Sequence, residues 1–196
     1  MGDNLMTLVT GGARSGKSSF GESIFNNMQG EILYIATAQA FDDEMKDRIK
    51  KHQQDRPSNW ITLEGYKDLA DKIQPYRGKV SGVFLDCITI MVTNLMLDEN
   101  VNWDNISPEV ANEIEKKIMK EIQQLIKATK EMEVPVVFVT NEIGMGIVPE
   151  NKMSRIFRDI AGRMNQYLGR EVDKVYLVVC GVPIKIKDKG EGKNGR

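Results

Sequence analysis

A glycine-rich stretch near the start of the chain has the residue types and spacing of a phosphate-binding loop. Residues 11–18, GGARSGKS, match the pattern G-x-x-x-x-G-K-[ST], between the apolar run LMTLVT and a helical pattern. Glycines there let backbone N–H groups converge on phosphate oxygens at a helix N-terminus. A chance glycine-rich turn is the alternative, but strand, loop and helix patterns are all in place. We predict nucleotide binding by Gly11, Gly12, Ala13, Arg14, Ser15, Gly16, Lys17 and Ser18.

The same motif assigns roles to two of its side chains and calls for one acidic partner. Lys17 would carry positive charge to the β- and γ-phosphates, and the Ser18 hydroxyl would be a ligand to Mg²⁺. Asp86 ends the apolar run GVFLD, where an acidic residue holding magnesium is expected. Capping or turn formation is the alternative for Asp86. Because this loop serves kinases, ATPases and switches alike, it does not by itself indicate the reaction.

His52 is the one histidine of the chain and a candidate nucleophile. It falls in a helical pattern that begins at Asp42 or Asp43 and ends near Pro57. Met45, Ile49 and His52 share an apolar stripe, so spacing alone favours a packing role. Nearby cations disfavour imidazolium and help keep the ring neutral and able to attack phosphorus; they are Arg48, Lys50, Lys51 and Arg56. Periodicity leaves both roles open.

The elements that must position these residues alternate along the chain. Short, β-branched apolar runs occur at 5–10, 31–37, 82–87, 134–141 and 174–182, as in strands buried on both faces of a parallel sheet. Helical patterns separate them; the clearest has Ser107 as N-cap and Pro108 at the first position, and runs toward Met132. This alternation predicts a doubly wound, mostly parallel α/β fold with helices on both faces. We expect one domain over residues 1–186 and a mobile tail over 187–196.

Composition excludes several classes of protein. The 27 basic and 28 acidic residues nearly balance, so no general attraction to nucleic acid is expected. No apolar run reaches the roughly 20 residues of a membrane span, and the first residues lack a signal-peptide pattern. Cys87 and Cys180 lie in apolar runs without metal-ligand spacing, so we expect buried free thiols. These features favour a cytoplasmic protein.

Several blocks together resemble one family, the bifunctional adenosylcobinamide kinase and adenosylcobinamide-phosphate guanylyltransferase of cobalamin biosynthesis. They are LVTGGARSGKSSF, LYIATAQAFDDEMKDRIKKHQQDRP, LDCITIMVTNL, VTNEIGMGIVPEN and FRDIAGRMNQ, in the family's order. The block TNEIGMGIVPEN is far more specific than the phosphate-binding loop, since no general rule of nucleotide binding demands it. The resemblance implies a P-loop fold and two reactions. ATP or GTP phosphorylates adenosylcobinamide, and GMP is then transferred from GTP to adenosylcobinamide phosphate, with release of pyrophosphate.

The resemblance also implies roles for individual residues. The family transfers GMP through a GMP-histidine intermediate, and the histidine before the QQDRP-like segment corresponds to His52. Further nucleotide contacts are implied at Ala36, Thr37, Ala38, Gln53, Gln54, Asp55, Arg56, Glu64 and Asp86. Some relatives have Glu where this chain has Asp86, and the shorter side chain could move the magnesium or place a water between. For Glu64 a surface turn is an equal alternative. Relatives suggest a homo-oligomer, with a trimer as the candidate.

A loop after the fifth apolar run has two interpretations. Thr140, Asn141 and Glu142 end that run, and Met145 and Ile147 in the following loop could cover a bulky corrinoid. A packing loop is the alternative. Arg158, Arg163 and Asn165 share a helical segment as a solvated face or a subunit contact. Two other functions compete with the resemblance: a P-loop metabolite kinase in which His52 only packs, and a nucleotide-dependent switch.

Overall fold

The computed structural model describes residues 5–39 and 59–190. The strands are β1 (Met6–Gly11), β2 (Ile32–Ala36), β3 (Trp60–Glu64), β4 (Gly82–Asp86), β5 (Val136–Val139), β6 (Lys174–Val179) and β7 (Val182–Asp188). The helices are α1 (Lys17–Ser23), α2 (Leu69–Ile73), α3 (Ile88–Leu97), α4 (Pro108–Glu131) and α5 (Lys152–Glu171), with a short 3-10 turn at Gln74–Tyr76. The helix predicted around His52 lies outside the described residues.

Across the described residues the strands form one sheet in the order β3-β2-β4-β5-β1-β6-β7. Strands β1 to β6 pair in parallel, and β7 pairs with β6 in the antiparallel direction. Parallel neighbours need crossover connections, and helices supply those that the structure describes in full. The apolar runs of β1, β2, β4 and β5 are buried on both faces. The predicted doubly wound, mostly parallel fold is confirmed.

Alternate residues of the inner strands face two different cores. Leu8, Leu85 and Phe138 belong to a large core with side chains from α2, α3, α4 and α5. Val9, Phe84 and Val139 belong to a smaller core on the other face of the sheet. Helix α1, which follows the phosphate-binding motif directly, packs against this smaller core through Phe20. It therefore lies on the opposite face from α2, α4 and α5.

Helix α4 has the predicted start and buries one face. The Ser107 side chain accepts a hydrogen bond from the Val110 N–H at 3.4 Å, and Pro108 is the first helical residue. The buried stripe is Ile114, Ile118, Ile122, Leu125 and Thr129. Val110, in the first turn, is 43% exposed and does not extend this buried face.

The predicted strand at 174–182 is wrong in its last part, because the chain reverses there. Val179 pairs with Val182, and the two residues between them have positive φ, 51° at Cys180 and 79° at Gly181, as a type I′ hairpin turn requires. Cys180 is therefore exposed, contrary to the predicted buried thiol.

The boundary predicted after residue 186 falls inside β7, which continues to Asp188. Lys187 Nζ donates to the carbonyls of Gly169 at 2.7 Å and Val172 at 2.6 Å, at the carboxyl end of α5. A cation there complements the helix dipole, so residue 187 is anchored. The remainder of the predicted tail, 191–196, lies outside the described residues.

Candidate active site

The glycine-rich loop connects β1 to α1 as predicted and is clamped from two sides. Gly181 N–H in the β6–β7 turn donates to the Ser15 carbonyl at 2.8 Å, and Glu142 N–H donates to the Gly11 carbonyl at 3.0 Å. Lys17 Nζ donates to the Gly12 carbonyl at 3.1 Å, so the ammonium is held across the loop. The loop thus presents the first turn of α1 and one lysine together, which is an arrangement suited to phosphate.

Gly16 occupies the N-cap of α1 with φ 92° and ψ 7°, a conformation that side-chain-bearing residues rarely adopt. A Cβ at this position would also lie 3.2 Å from Gly181 Cα in the adjacent turn. The glycine is therefore required for backbone conformation and for close packing. Gly12, in the same loop, has no positive φ, and a Cβ added there would meet no atom within 4 Å.

We expect Gly16→Ala to lower the free energy of unfolding by about 1–3 kcal/mol, because alanine must adopt the strained conformation and displace the hairpin turn. Gly12→Ala is the matched control and should change stability by less than about 0.5 kcal/mol. Urea denaturation of both variants measures the difference. Equal midpoints for the two variants would contradict the role assigned to Gly16.

Three sequence-predicted site residues lie side by side at the carboxyl edge of the sheet. Ala36 is in register with Glu64 on one side and with Asp86 on the other. Glu64 is exposed and Asp86 is half-buried. Glu64 therefore ends an edge strand and does not lie in a surface turn. Ligands of parallel sheets bind beyond this edge, so the placement agrees with the predicted nucleotide contacts without testing them.

Thr37 joins the ends of β2 and β4. Its N–H donates to the Asp86 carbonyl at 3.2 Å, and its hydroxyl accepts from Cys87 N–H at 2.9 Å and donates to the Cys87 carbonyl at 2.8 Å. Its own carbonyl accepts from Asn94 Nδ2 at 2.8 Å. Thr37 is fully buried, so these bonds fix the position of Asp86 and of the following residue, Ala38, which is half-buried.

Cys87 is a buried free thiol, as predicted. Burial, and after it the neighbouring Asp86 carboxylate, raise the pKa of the Cys87 thiol to about 12, while the charge of Lys17 acts in the opposite direction. At neutral pH the thiol is protonated, which excludes it as a nucleophile or metal ligand.

The two cysteines should therefore differ sharply toward alkylating reagents. With a pKa of about 12, about one Cys87 thiol in ten thousand is ionised at pH 8, and the side chain is also buried. Iodoacetamide at pH 8 should add one group to the native protein, at Cys180, and two to the denatured protein. Mass spectrometry of digested peptides measures this. Native labelling of Cys87 at a rate like that of Cys180 would contradict the assignment.

A second polar network lies at the end of β5, and sequence reasoning named three of its members without connecting them. Thr140 is buried; its hydroxyl lies 3.1 Å from that of Thr89 and donates to Asn165 Oδ1 at 2.8 Å. Asn165 Nδ2 donates to the Asn141 carbonyl at 3.1 Å, and Asn141 N–H donates to Thr89 Oγ1 at 2.6 Å. Asn165 is thus hydrogen-bonded to residues at the carboxyl edge of the sheet, where the candidate site lies. The missed signal was Thr89, one of three polar residues in helix α3, which is otherwise apolar.

The two arginines singled out with Asn165 have other surroundings. Arg163 makes a two-bond ion pair with Glu115, one bond from Nε and one of 2.7 Å from Nη2, which joins α5 to α4. This hydrogen bond to Glu115 raises the pKa of Arg163. Arg158 is half-buried. Of the predicted site residues, His52, Gln53, Gln54, Asp55 and Arg56 lie outside the described residues.

A magnesium ion fits the chemistry of the donors at this edge. Among residues 5–39 and 59–190, no group of three or more His, Cys, Asp or Glu side chains could hold a metal. Magnesium is commonly held by one or two protein oxygens together with substrate phosphates, so a full protein cage is not required. The Ser18 hydroxyl and the Asp86 carboxylate are hard oxygen donors of the appropriate kind.

The strand, the glycine-rich loop, the lysine-bearing helix and the acidic end of β4 define a P-loop nucleotide-binding protein. Residues 7–186 match the family model described as CobU, cobinamide kinase / cobinamide phosphate guanyltransferase, and the chain belongs to this family. Membership confirms the resemblance and the predicted enzyme class, a kinase and guanylyltransferase of cobalamin biosynthesis.

Curated relatives match over nearly their whole length. The bifunctional adenosylcobalamin biosynthesis proteins CobU of Escherichia coli K12 and Salmonella typhimurium are each 46% identical over 188 residues, 93% of this chain and 100% of theirs. The corresponding CobP of Pseudomonas aeruginosa is 34% identical over 181 residues, 92% of this chain and 96% of its own.

A solved structure, the KaiC-like protein PH0186 of Pyrococcus horikoshii, has 13% identity and a TM-score of 0.44, covering 89% of this chain and 71% of its own. That likeness is too low to support any conclusion about this chain. Among the helices of the described residues, none has the length and apolarity needed to cross a membrane.

Proposed function

We propose that this protein phosphorylates adenosylcobinamide with ATP or GTP and then transfers GMP from GTP to adenosylcobinamide phosphate. The observation that carries the proposal is the clamped loop at residues 11–18, at the same carboxyl edge of the sheet as Asp86, in a chain that matches the CobU family over 7–186. The expected products are adenosylcobinamide-GDP and pyrophosphate.

In the kinase reaction the acceptor hydroxyl attacks the γ-phosphorus, the bond to the β-phosphate oxygen breaks, and the hydroxyl proton is lost. The backbone N–H groups of residues 12–18 and the Lys17 ammonium stabilise charge on the departing nucleoside diphosphate. Lys17 exchanges its hydrogen bond to the Gly12 carbonyl for a phosphate oxygen. A magnesium ion held by Ser18 and Asp86 would supply further charge neutralisation at the phosphates.

In the transferase reaction an imidazole nitrogen of His52 attacks the α-phosphorus of GTP. A P–N bond forms, the bond between the α-phosphorus and the bridging oxygen breaks, and pyrophosphate leaves with the same loop stabilising its charge. The phosphate oxygen of adenosylcobinamide phosphate then attacks the α-phosphorus, the P–N bond breaks, and the imidazole is regenerated. The remaining predicted contacts, Gln53 to Arg56 and Glu64, would orient the nucleotide.

Labelled GTP tests this scheme. After incubation with [α-³²P]GTP, the protein should retain label that is acid-labile and alkali-stable, as a phosphohistidine bond is, and addition of adenosylcobinamide phosphate should move the label to the corrinoid product. [γ-³²P]GTP should leave no such label and should phosphorylate adenosylcobinamide. Phosphorylation without any retained α-label would indicate a simple metabolite kinase in which His52 only packs.

We also propose a homo-oligomer, with a trimer as the candidate, and a cytoplasmic location. The family resemblance supports the oligomer, and the requirement for ATP and GTP supports the location. The whole segment 1–186, extended to the end of β7, would act as one nucleotide-binding domain.

A further inference from the structure

The loop between β5 and α5 exposes an apolar crest, which we define as Met145, Ile147 and Val148. Met145 is 81% exposed, Ile147 96% and Val148 59%. Three large apolar side chains within four residues form a patch of the kind that marks a binding surface when it occurs beside a site. Core packing does not explain them, since none belongs to either core.

The crest is held in place at both ends. On the side of β5, Glu142 N–H donates to the Gly11 carbonyl, and the Glu142 carboxylate accepts from Gly144 N–H at 2.7 Å. On the side of α5, Arg155 Nη1 donates to the Pro149 carbonyl at 3.0 Å and to that of Glu150. Asn151 caps α5 by accepting from Ser154 N–H at 2.9 Å. Such anchoring presents the apolar side chains in advance of any ligand.

The first anchor places the crest beside the phosphate-binding loop. Met145 follows Glu142 by three residues and Ile147 by five, so their Cα atoms lie at most about 11 Å and 18 Å from that of Glu142. Glu142 itself is hydrogen-bonded to Gly11. A large acceptor whose reacting group lies at this loop therefore has the crest within reach of the rest of its molecule.

We infer that the apolar crest binds the corrin macrocycle of the acceptor and sets specificity for it. The inference rests on the proposed function, which requires an acceptor with a large, largely apolar ring on a short arm that ends in a hydroxyl or phosphate. In the proposed function the nucleotide phosphates occupy the loop at 11–18, and the neighbouring crest is assigned to the acceptor. Asn165 bonds the Asn141 carbonyl and Thr140, which fixes the point where the crest loop leaves β5.

Met145→Ser and Ile147→Ser, singly and together, test the inference. Each should raise the KM for adenosylcobinamide phosphate about tenfold, and the double variant up to about 100-fold, because burial of each side chain by the ring is lost. The KM for GTP and the retention of α-label from GTP should stay within about twofold. Leu97→Ser, which removes another exposed apolar side chain at the far end of α3, is the control and should change neither KM. Equilibrium dialysis of cobinamide should show the same loss of affinity without turnover.

Unchanged KM and affinity for the corrinoid in the double variant would overturn the inference. An equal rise in the KM for GTP would also overturn it, because the crest would then be part of the nucleotide site. A change of oligomeric state in gel filtration, in the double variant only, would also overturn it in favour of a contact between copies. Failure of the proposed function is a separate result, because the unsubstituted protein would then neither bind cobinamide nor phosphorylate it.

Discussion

Replacement of Lys17 by methionine is expected to lower both reactions together, by about 100- to 1,000-fold each in kcat. Methionine keeps most of the length and the apolar stem of lysine but removes the charge. The leaving group is a nucleoside diphosphate in one reaction and pyrophosphate in the other, and the proposed function places both on the loop that Lys17 spans. Loss of this charge therefore raises the barrier of both steps. Rates of adenosylcobinamide phosphorylation and of protein labelling by [α-³²P]GTP measure the two effects.

Lys116→Met is the matched control, because Lys116 is an exposed lysine of α4 that pairs with Glu113 three residues away. It should leave both rates within about twofold. Lys17→Met should unfold at a urea midpoint close to that of the unsubstituted protein, since the hydrogen bond that the Lys17 ammonium makes to the Gly12 carbonyl is exposed. A kinase rate that falls while labelling by α-phosphate persists would contradict a shared phosphate site.

Parts of the site that depend on local chain geometry could be predicted from the sequence. The loop at 11–18 is contiguous in sequence, so the spacing of its glycines, lysine and serine is sufficient to identify it. Asp86 and Ala36 could be placed because each ends a buried parallel strand, and such ends meet at one edge. Their register with Glu64 depends on which strands are neighbours, and nothing in WITLE specified that β3 pairs with β2.

Parts that depend on contacts distant in sequence were missed or wrong. Asn165, in the middle of α5, makes hydrogen bonds to Thr140 and Asn141. Helical spacing predicts which residues lie on the same face of α5 as Asn165, but it does not predict which strand that face contacts. The β6–β7 turn was missed because its first residue is Cys180, whereas Asn, Asp or Gly is usual where φ is positive. Pro183, soon after Gly181, was the available signal of an edge strand. The same error placed Cys180 in the interior.

Thr37 illustrates how a predicted contact can have a different physical role. Its hydroxyl, N–H and carbonyl all have partners within the protein, and its side chain is fully buried. Its effect on nucleotide binding would therefore come through the position of Asp86 and of the backbone of Ala38. The family resemblance identified the segment, but a resemblance does not distinguish a residue that touches the ligand from one that holds such a residue.

Substitution of His52 by asparagine is expected to separate the two activities. Asparagine retains a polar side chain of similar size but has no nitrogen that can attack phosphorus. The variant should show no acid-labile label from [α-³²P]GTP, and formation of adenosylcobinamide-GDP should fall by at least about 1,000-fold, as is typical when a covalent nucleophile is removed. Phosphorylation of adenosylcobinamide should remain within a few-fold, because the acceptor hydroxyl attacks the γ-phosphorus directly.

The composition of the chain makes this test unusually clear. The chain has one histidine, so acid-labile label on a histidine of the unsubstituted protein can lie only on His52. The raised pKa of Cys87 removes that thiol as a competitor at neutral pH, and Cys180→Ser controls for the exposed thiol and should keep the label. Undiminished synthesis of adenosylcobinamide-GDP by His52→Asn would show that GMP passes directly from GTP to the corrinoid phosphate. The loop at 11–18 would then have to hold GTP with its α-phosphorus open to the acceptor, and Lys17→Met would still lower the rate.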